Sequence, residues 1–170
     1  RALEEISHGG QSPTSIANLL AAVDRRAGVL IDVKVPGGAI LSALSELCGS
    51  SVWPDEVWLG VRSVAQAQRA AEIFGGAVRI LGMPASAPEA TEFLTVRVDA
   101  IRIWQAEIDR PWSVVLVERT QVWVTTGGLD GAAVGDTDDA GLAAIGRFGA
   151  SAVLVNDPLR AKRCAVEGGF

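Results

Sequence analysis

The sequence predicts an α/β fold built around a parallel sheet, on three observations. Six short runs rich in Val, Ile and Leu recur along the chain, Ala/Leu-rich stretches with apolar residues three and four apart alternate with them, and Gly and Pro punctuate the junctions. Such runs suit strands buried on both faces, and parallel strands need crossover connections that lay helices on the sheet. At 170 residues the chain is the size of one domain, read as spanning residues 1–170.

The elements follow in order. The first helix is predicted from Pro13, with Ser12 as N-cap and Ile16, Leu19, Leu20 and Val23 on one face, ending near Gly28. A strand from Val29 to Val35 is broken by Pro36-Gly37-Gly38, and Ile40, Leu41, Leu44 and Leu47 define a second helix closed by Gly49. Val57 to Val61 reads as a strand, Ser63 to Phe74 as a helix capped by Gly75-Gly76, and Val78 to Leu81 as the next strand. Pro84 and Pro88 mark a loop or short helix before the strand Ala100 to Trp104. A helix from Arg110 to about Arg119 carries Pro111 where a missing N–H is harmless, and Val122 to Thr126 is the fifth strand. A Gly/Asp-rich loop, Gly127 to Asp136, leads to a helix from Asp138 to Phe148, then to the strand Ala152 to Val155 and a short helix from Pro158. Two architectures fit this pattern: an open doubly wound sheet, with its ligand where strand order reverses, or part of a (β/α)₈ barrel, two units short of closure.

Composition excludes several classes. A net charge of −5 with no run of Lys or Arg offers no footprint for nucleic acid. No apolar stretch approaches the roughly 20 residues of a membrane span. Cys48 and Cys164 stand far apart with no nearby His, so they read as small buried hydrophobes rather than a zinc site or disulfide. The chain opens on Arg1 and its only methionine is Met83, which reads as a processed chain or a piece of a longer one; the compartment stays open.

One stretch stands out chemically. In Gly28 to Gly38, GVLIDVKVPGG, Asp32 and Lys34 interrupt an apolar run. Residues two apart on a strand share a face, so Leu30, Asp32 and Lys34 point one way and Ile31, Val33 and Val35 the other, toward the helices. A buried unpaired charge costs several kcal/mol, so the two pair with each other, with a metal or with a charged ligand. They stand at the strand's C-terminal end, where both architectures place their chemistry; the plain alternative is an ion pair at the rim.

Here the sequence resembles the glycerophosphodiester phosphodiesterase family. Ile31-Asp32-Val33-Lys34 is similar to that family's Ile-Glu-Ile-Lys on the third barrel strand, and Pro13-Thr14-Ser15-Ile16-Ala17-Asn18-Leu19-Leu20 to its preceding Pro-Thr-Leu-Glu-Glu-Val-Leu segment. Val122-Trp123-Val124-Thr125-Thr126-Gly127 resembles Val-x-Val-Trp-Thr-Val-Asn, and Gly149 to Pro158, GASAVLVNDP, resembles the closing Gly-Val/Ala-Asp-Gly-Ile-Ile-Thr-Asn/Asp-x-Pro. The resemblance implies an incomplete (β/α)₈ TIM barrel, strands three to eight with their helices. It also implies a metal-dependent phosphoric diester hydrolase of glycerophospholipid metabolism, releasing glycerol 3-phosphate and an alcohol. Carried over by position, Asp32 would bind a divalent cation, calcium or magnesium, and Lys34 the substrate phosphate. Hard cations take carboxylate oxygens, and a cation with an ammonium would stabilise charge on the phosphoryl oxygens.

The departures bear on activity. Neither of the family's catalytic histidines, nor its Glu-x-Asp, has a counterpart; the only histidine, His8, stands where the family uses none and reads as a loop residue. The chain alone is therefore expected to be inactive, and the open edges of an unclosed barrel to favour self-association. Asp32 in place of Glu retracts the carboxylate by roughly 1.5 Å, which matters to a ligand held at about 2.0–2.6 Å. Val124 stands where a pocket Trp is expected, and Trp123 beside it is assigned to the helix-packing face. The alternatives are a noncatalytic barrel remnant, or another phosphate-binding barrel enzyme such as a sugar-phosphate lyase or isomerase. Asp-x-Lys also resembles the orotidine phosphate decarboxylase group, whose Asp-x-Lys-x-x-Asp fails at Gly37.

Arg62 and Thr125 are further pocket candidates at strand ends. Thr125-Thr126-Gly127-Gly128 is either a phosphate cradle of backbone N–H groups or a turn. Asp136, Asp138 and Asp139 read as a helix N-terminus, and Trp53, Trp58, Trp104 and Trp112 as packing residues.

Overall fold

The computed structural model describes residues 14–50, 53, 56–128 and 132–168. Among them, strands β1 (Val29–Asp32), β2 (Val57–Val61), β3 (Arg79–Gly82), β4 (Ala100–Trp104), β5 (Gln121–Thr125) and β6 (Ala152–Leu154) alternate with helices. The helices are α1 (Ile16–Val23), α2 (Ala39–Ser45), α3 (Val64–Phe74), α4 (Ala87–Phe93), α5 (Pro111–Arg119), α6 (Asp139–Phe148) and α7 (Pro158–Gly168). All neighbouring strands pair in parallel, and their order in the sheet is their order in the chain. Among the described residues the strand order does not reverse, so the doubly wound alternative, which requires a reversal, does not hold for these six strands.

The sheet is curled. Laid flat, β2 and β5 would stand about 14 Å apart at ~4.8 Å per strand, yet Trp58 and Trp123 touch across the concave face with ring centroids 4.4 Å apart. Residues from the first to the last strand also line a single cleft. Strand parity sorts the core into two layers. Leu59, Val61, Ile80, Ile101, Ile103, Val122 and Val124 face the helices, while Trp58, Leu81, Met83 and Ala100 pack on the concave side with Leu30 and Trp123. Trp123 therefore lies on the inner face and Val124 on the helix face, the reverse of the sequence expectation, because Trp123 shares parity with the cleft residue Thr125.

Local chemistry sets the helix ends. The Ser63 Oγ accepts from the Gln66 N–H (3.2 Å), Asp138 Oδ1 accepts from the Gly141 N–H (2.7 Å), and Gly75 and Gly149 close their helices in the left-handed region. The first helix begins at Ile16, not Pro13: Ser15 is its cap, accepting from the Asn18 N–H, while Ser12 and Pro13 lie outside the described residues. It also ends earlier than expected, with Asp24 and Arg25 turning left-handed. β1 is shorter as well. One further ladder bond, from the Val33 N–H to the Gly60 carbonyl, follows Asp32, and Val35 is exposed rather than packed against helices. Neither cysteine is buried; both are partly exposed.

Candidate functional site

The C-terminal ends of the strands surround a cleft of about 410 Å³ lined by Leu30, Asp32 and Lys34 at β1, Arg62 after β2, Met83 after β3, Arg102 and Trp104 on β4, Thr125 on β5, and Leu154, Val155 and Asn156 at β6, with Val134 and Gly135 from the β5–α6 loop. Asp32, Lys34, Arg62 and Thr125, each a candidate from the sequence, are thus brought to one place.

Their partners differ from the expectation. Asp32 and Lys34 are not enclosed: β1 is at the sheet's edge, and their side chains are 32% and 74% exposed. The Nη2 of Arg62 donates to both carboxylate oxygens of Asp32, at 3.0 and 2.8 Å, while Lys34 Nζ stands 3.8 Å from Oδ2. Asp32 is the only carboxylate among the lining residues, against three cations, Lys34, Arg62 and Arg102. A calcium ion takes six to eight oxygens and magnesium an octahedron of them. Among the described residues no group of three or more His, Cys, Asp or Glu side chains could hold a metal. The donors among the described cleft residues do not by themselves complete the shell of a divalent cation, and their charge balance suits an anion.

Arg102 joins these candidates, and its signal in the sequence is a charge within the apolar run AIRIW, the same anomaly as Asp32. Parity directs Ala100, Arg102 and Trp104 inward, while Ile101 and Ile103 pack against the helices. Arg102 is only 6% exposed, and its Nε and Nη1 have no hydrogen-bond partner among the described residues. Its guanidinium carbon lies 4.4 Å from the ring centroid of Trp104, a cation–π contact, so Trp104 is a cleft residue rather than simple packing. Burial lowers the Arg102 pKa, the Arg62 charge lowers it further, and Glu107 and Asp32 act in the opposite direction. A guanidinium nonetheless stays protonated in proteins.

Thr125-Thr126-Gly127-Gly128 runs from the end of β5 into a bend. The N–H of Thr126 bonds the Leu154 carbonyl and that of Gly128 the Ala132 carbonyl, which leaves neither for a phosphate. Gly128 (φ 89°) is required there, because a Cβ would stand 2.6 Å from the Trp104 ring. Asn156 fastens the same loop to β6, its Nδ2 donating to the Val134 carbonyl (2.9 Å) and to Asp136 Oδ1 (3.0 Å). His8 lies outside the described residues. No family model matches this chain, and no curated protein matches it.

Proposed function

We propose that the chain is the greater part of a glycerophosphodiester phosphodiesterase-like barrel, its strands standing as numbers three to eight, and that the cleft holds the phosphate of a glycerophosphodiester. The observation that supports this best is that Asp32, the last residue of β1, and Lys34, two residues beyond it, both line a cleft at the C-terminal strand ends. The unbroken strand order and the curl agree with a barrel wall.

In this reading the chain's own contribution is electrostatic. Lys34 and Arg62 face the phosphoryl oxygens and offset the charge that builds on them during displacement. Asp32 orients Arg62, and as a single carboxylate it is too few donors for calcium or magnesium, whose remaining ligands would come from outside the described residues. The acid and base are likewise not among the described side chains of the cleft, which include no histidine.

Calorimetric titration with glycerol 3-phosphate and with glycerol tests the reading. The phosphate ester should bind and glycerol should not, and Lys34→Ala should weaken binding about tenfold, the loss of one partly screened charge contact. Equal, negligible binding of both compounds overturns it. Release of glycerol 3-phosphate from glycerophosphocholine with calcium or magnesium is expected to be absent for these 170 residues alone; turnover would overturn the assignment of acid and base to groups outside them.

A further inference from the structure

We propose that Arg102 is the principal anion contact of the cleft, and that with Arg62 and Lys34 it binds a tetrahedral phosphate without any divalent cation. The inference rests on the reading of the cleft as a phosphate site but not on hydrolysis or on the glycerol moiety.

A charged group withdrawn from water keeps its charge at low free energy only when hydrogen-bonded acceptors replace the water. Arg102 is 6% exposed, with Nε and Nη1 lacking acceptors among the described residues. Asp32, the one carboxylate among the cleft-lining residues, has both oxygens engaged by Arg62, and Glu107, whose charge acts more strongly on Arg102, accepts the Trp104 backbone N–H through Oε2. What Arg102 does have is the face of Trp104, which fixes the guanidinium plane without occupying its in-plane donors. Arg102 lines the cleft beside two further cations, and a planar donor group stacked on an aromatic face is suited to an oxyanion, which would reach Nε and Nη1, sealed from solvent in this structure, by displacing the side chains that cover them. Arg62 and Lys34, at 42% and 74% side-chain exposure, stand at the mouth, where they would draw an anion in, and Arg102 is the contact inside.

An alternative account gives Arg102 a purely architectural role, as a lid on Trp104. The two accounts differ in what Arg102→Met does. If Arg102 is an anion contact, the unliganded variant keeps or gains thermal stability, since an apolar side chain replaces an unpaired buried charge, and phosphate affinity falls at least tenfold. If it is architectural, the variant melts lower and phosphate binding is unchanged.

The experiment titrates inorganic phosphate into the chain in the presence of EDTA, following heat and the Nε–H resonances of the arginine side chains. The expected result is saturable binding, a shift of the Arg102 Nε–H signal in the unsubstituted chain, at least tenfold weaker binding by Arg102→Met, and partial retention by Arg102→Lys. An Arg102 signal that stays still while phosphate binds overturns the proposal, even where Arg102→Met does not fold; so does an absence of binding in EDTA. Phosphate binding through Arg102 with no added affinity for glycerol 3-phosphate would sink the glycerophosphodiester reading and leave this one standing. Glycerol 3-phosphate binding indifferent to Arg102 would do the reverse.

Discussion

Arg62 holds both carboxylate oxygens of Asp32 through one nitrogen, 3.0 and 2.8 Å away, across the β1–β2 boundary. The carboxylate at the cleft is therefore an internal counter-ion in this structure, and it competes with any anion for Arg62.

Removing that competition should be measurable. Asp32→Asn is expected to tighten phosphate binding in EDTA several-fold, because a negative charge near the ligand is lost and Arg62 is released. A weaker affinity, measured calorimetrically, would mean that Asp32 acts chiefly by positioning Arg62.

The same pair should matter little to stability. Both side chains are substantially solvated, at 42% and 32% exposure, and exposed ion pairs are worth about 0–1 kcal/mol. Arg62→Ala should therefore lower the unfolding free energy by less than about 1 kcal/mol in urea titrations, and a larger loss would show a more enclosed pair than described.

Two glycines on neighbouring strands should respond differently to alanine. A Cβ on Gly82 would meet the ring of the fully buried Phe93 at 2.9 Å, whereas one on Gly60 would meet the Met83 sulfur at 2.9 Å. A packed ring in a core cannot yield easily, so Gly82→Ala should cost about 1–3 kcal/mol, while the flexible thioether adapts and Gly60→Ala should cost less than about 1 kcal/mol. Thermal melts of the two variants decide it; equal losses would contradict the packing described.

Acid should act at α6 and α7. The hydrogen bond from Arg160 Nε (2.6 Å), then that from Cys164, hold Asp139 below the ordinary aspartate pKa. A carboxylate depressed in the folded state adds stability that is present above its unfolded pKa, about 3.9, and that disappears as pH falls through the lower folded value. An NMR titration of the Asp139 carboxyl should show a midpoint below about 3.9 and return toward it in Arg160→Gln; an unmoved midpoint in that variant refutes the cause.

The sheet's flanks predict association. Among the described residues β1 and β6 each pair on one side only, and unpaired parallel edges accept strands from other chains. Sedimentation velocity should show mass rising with protein concentration. A constant monomer across the range would mean that the flanks are covered.

Much of the fold was legible because its punctuation is chemical: Ser63, Pro111, Asp138 and Gly75 stand at helix ends for the reasons their side chains or lack of one dictate. The start of α1 differs from the expectation because Ser12-Pro13 matches a helix start, whereas the cap that forms is Ser15, three residues on. The expected β1 is longer than the observed strand because apolar alternation continues through Val35, while its pairing with β2 stops at Gly60. Asp32 and Lys34 are readable as charges in an apolar run, and Arg102 in AIRIW obeys the same rule. The face of Trp123 was legible too: period-two alternation puts it on the side of Thr125, a pocket candidate on the same strand.

The contact between Trp58 and Trp123 gives the curvature an optical signature. Two indoles with centroids 4.4 Å apart and planes inclined by 51° couple their transition dipoles, so circular dichroism should carry a paired band of opposite signs. Flattening of the wall would separate the chromophores and erase that couplet while leaving the helical ellipticity in place, which makes the shape of the sheet observable apart from its secondary structure.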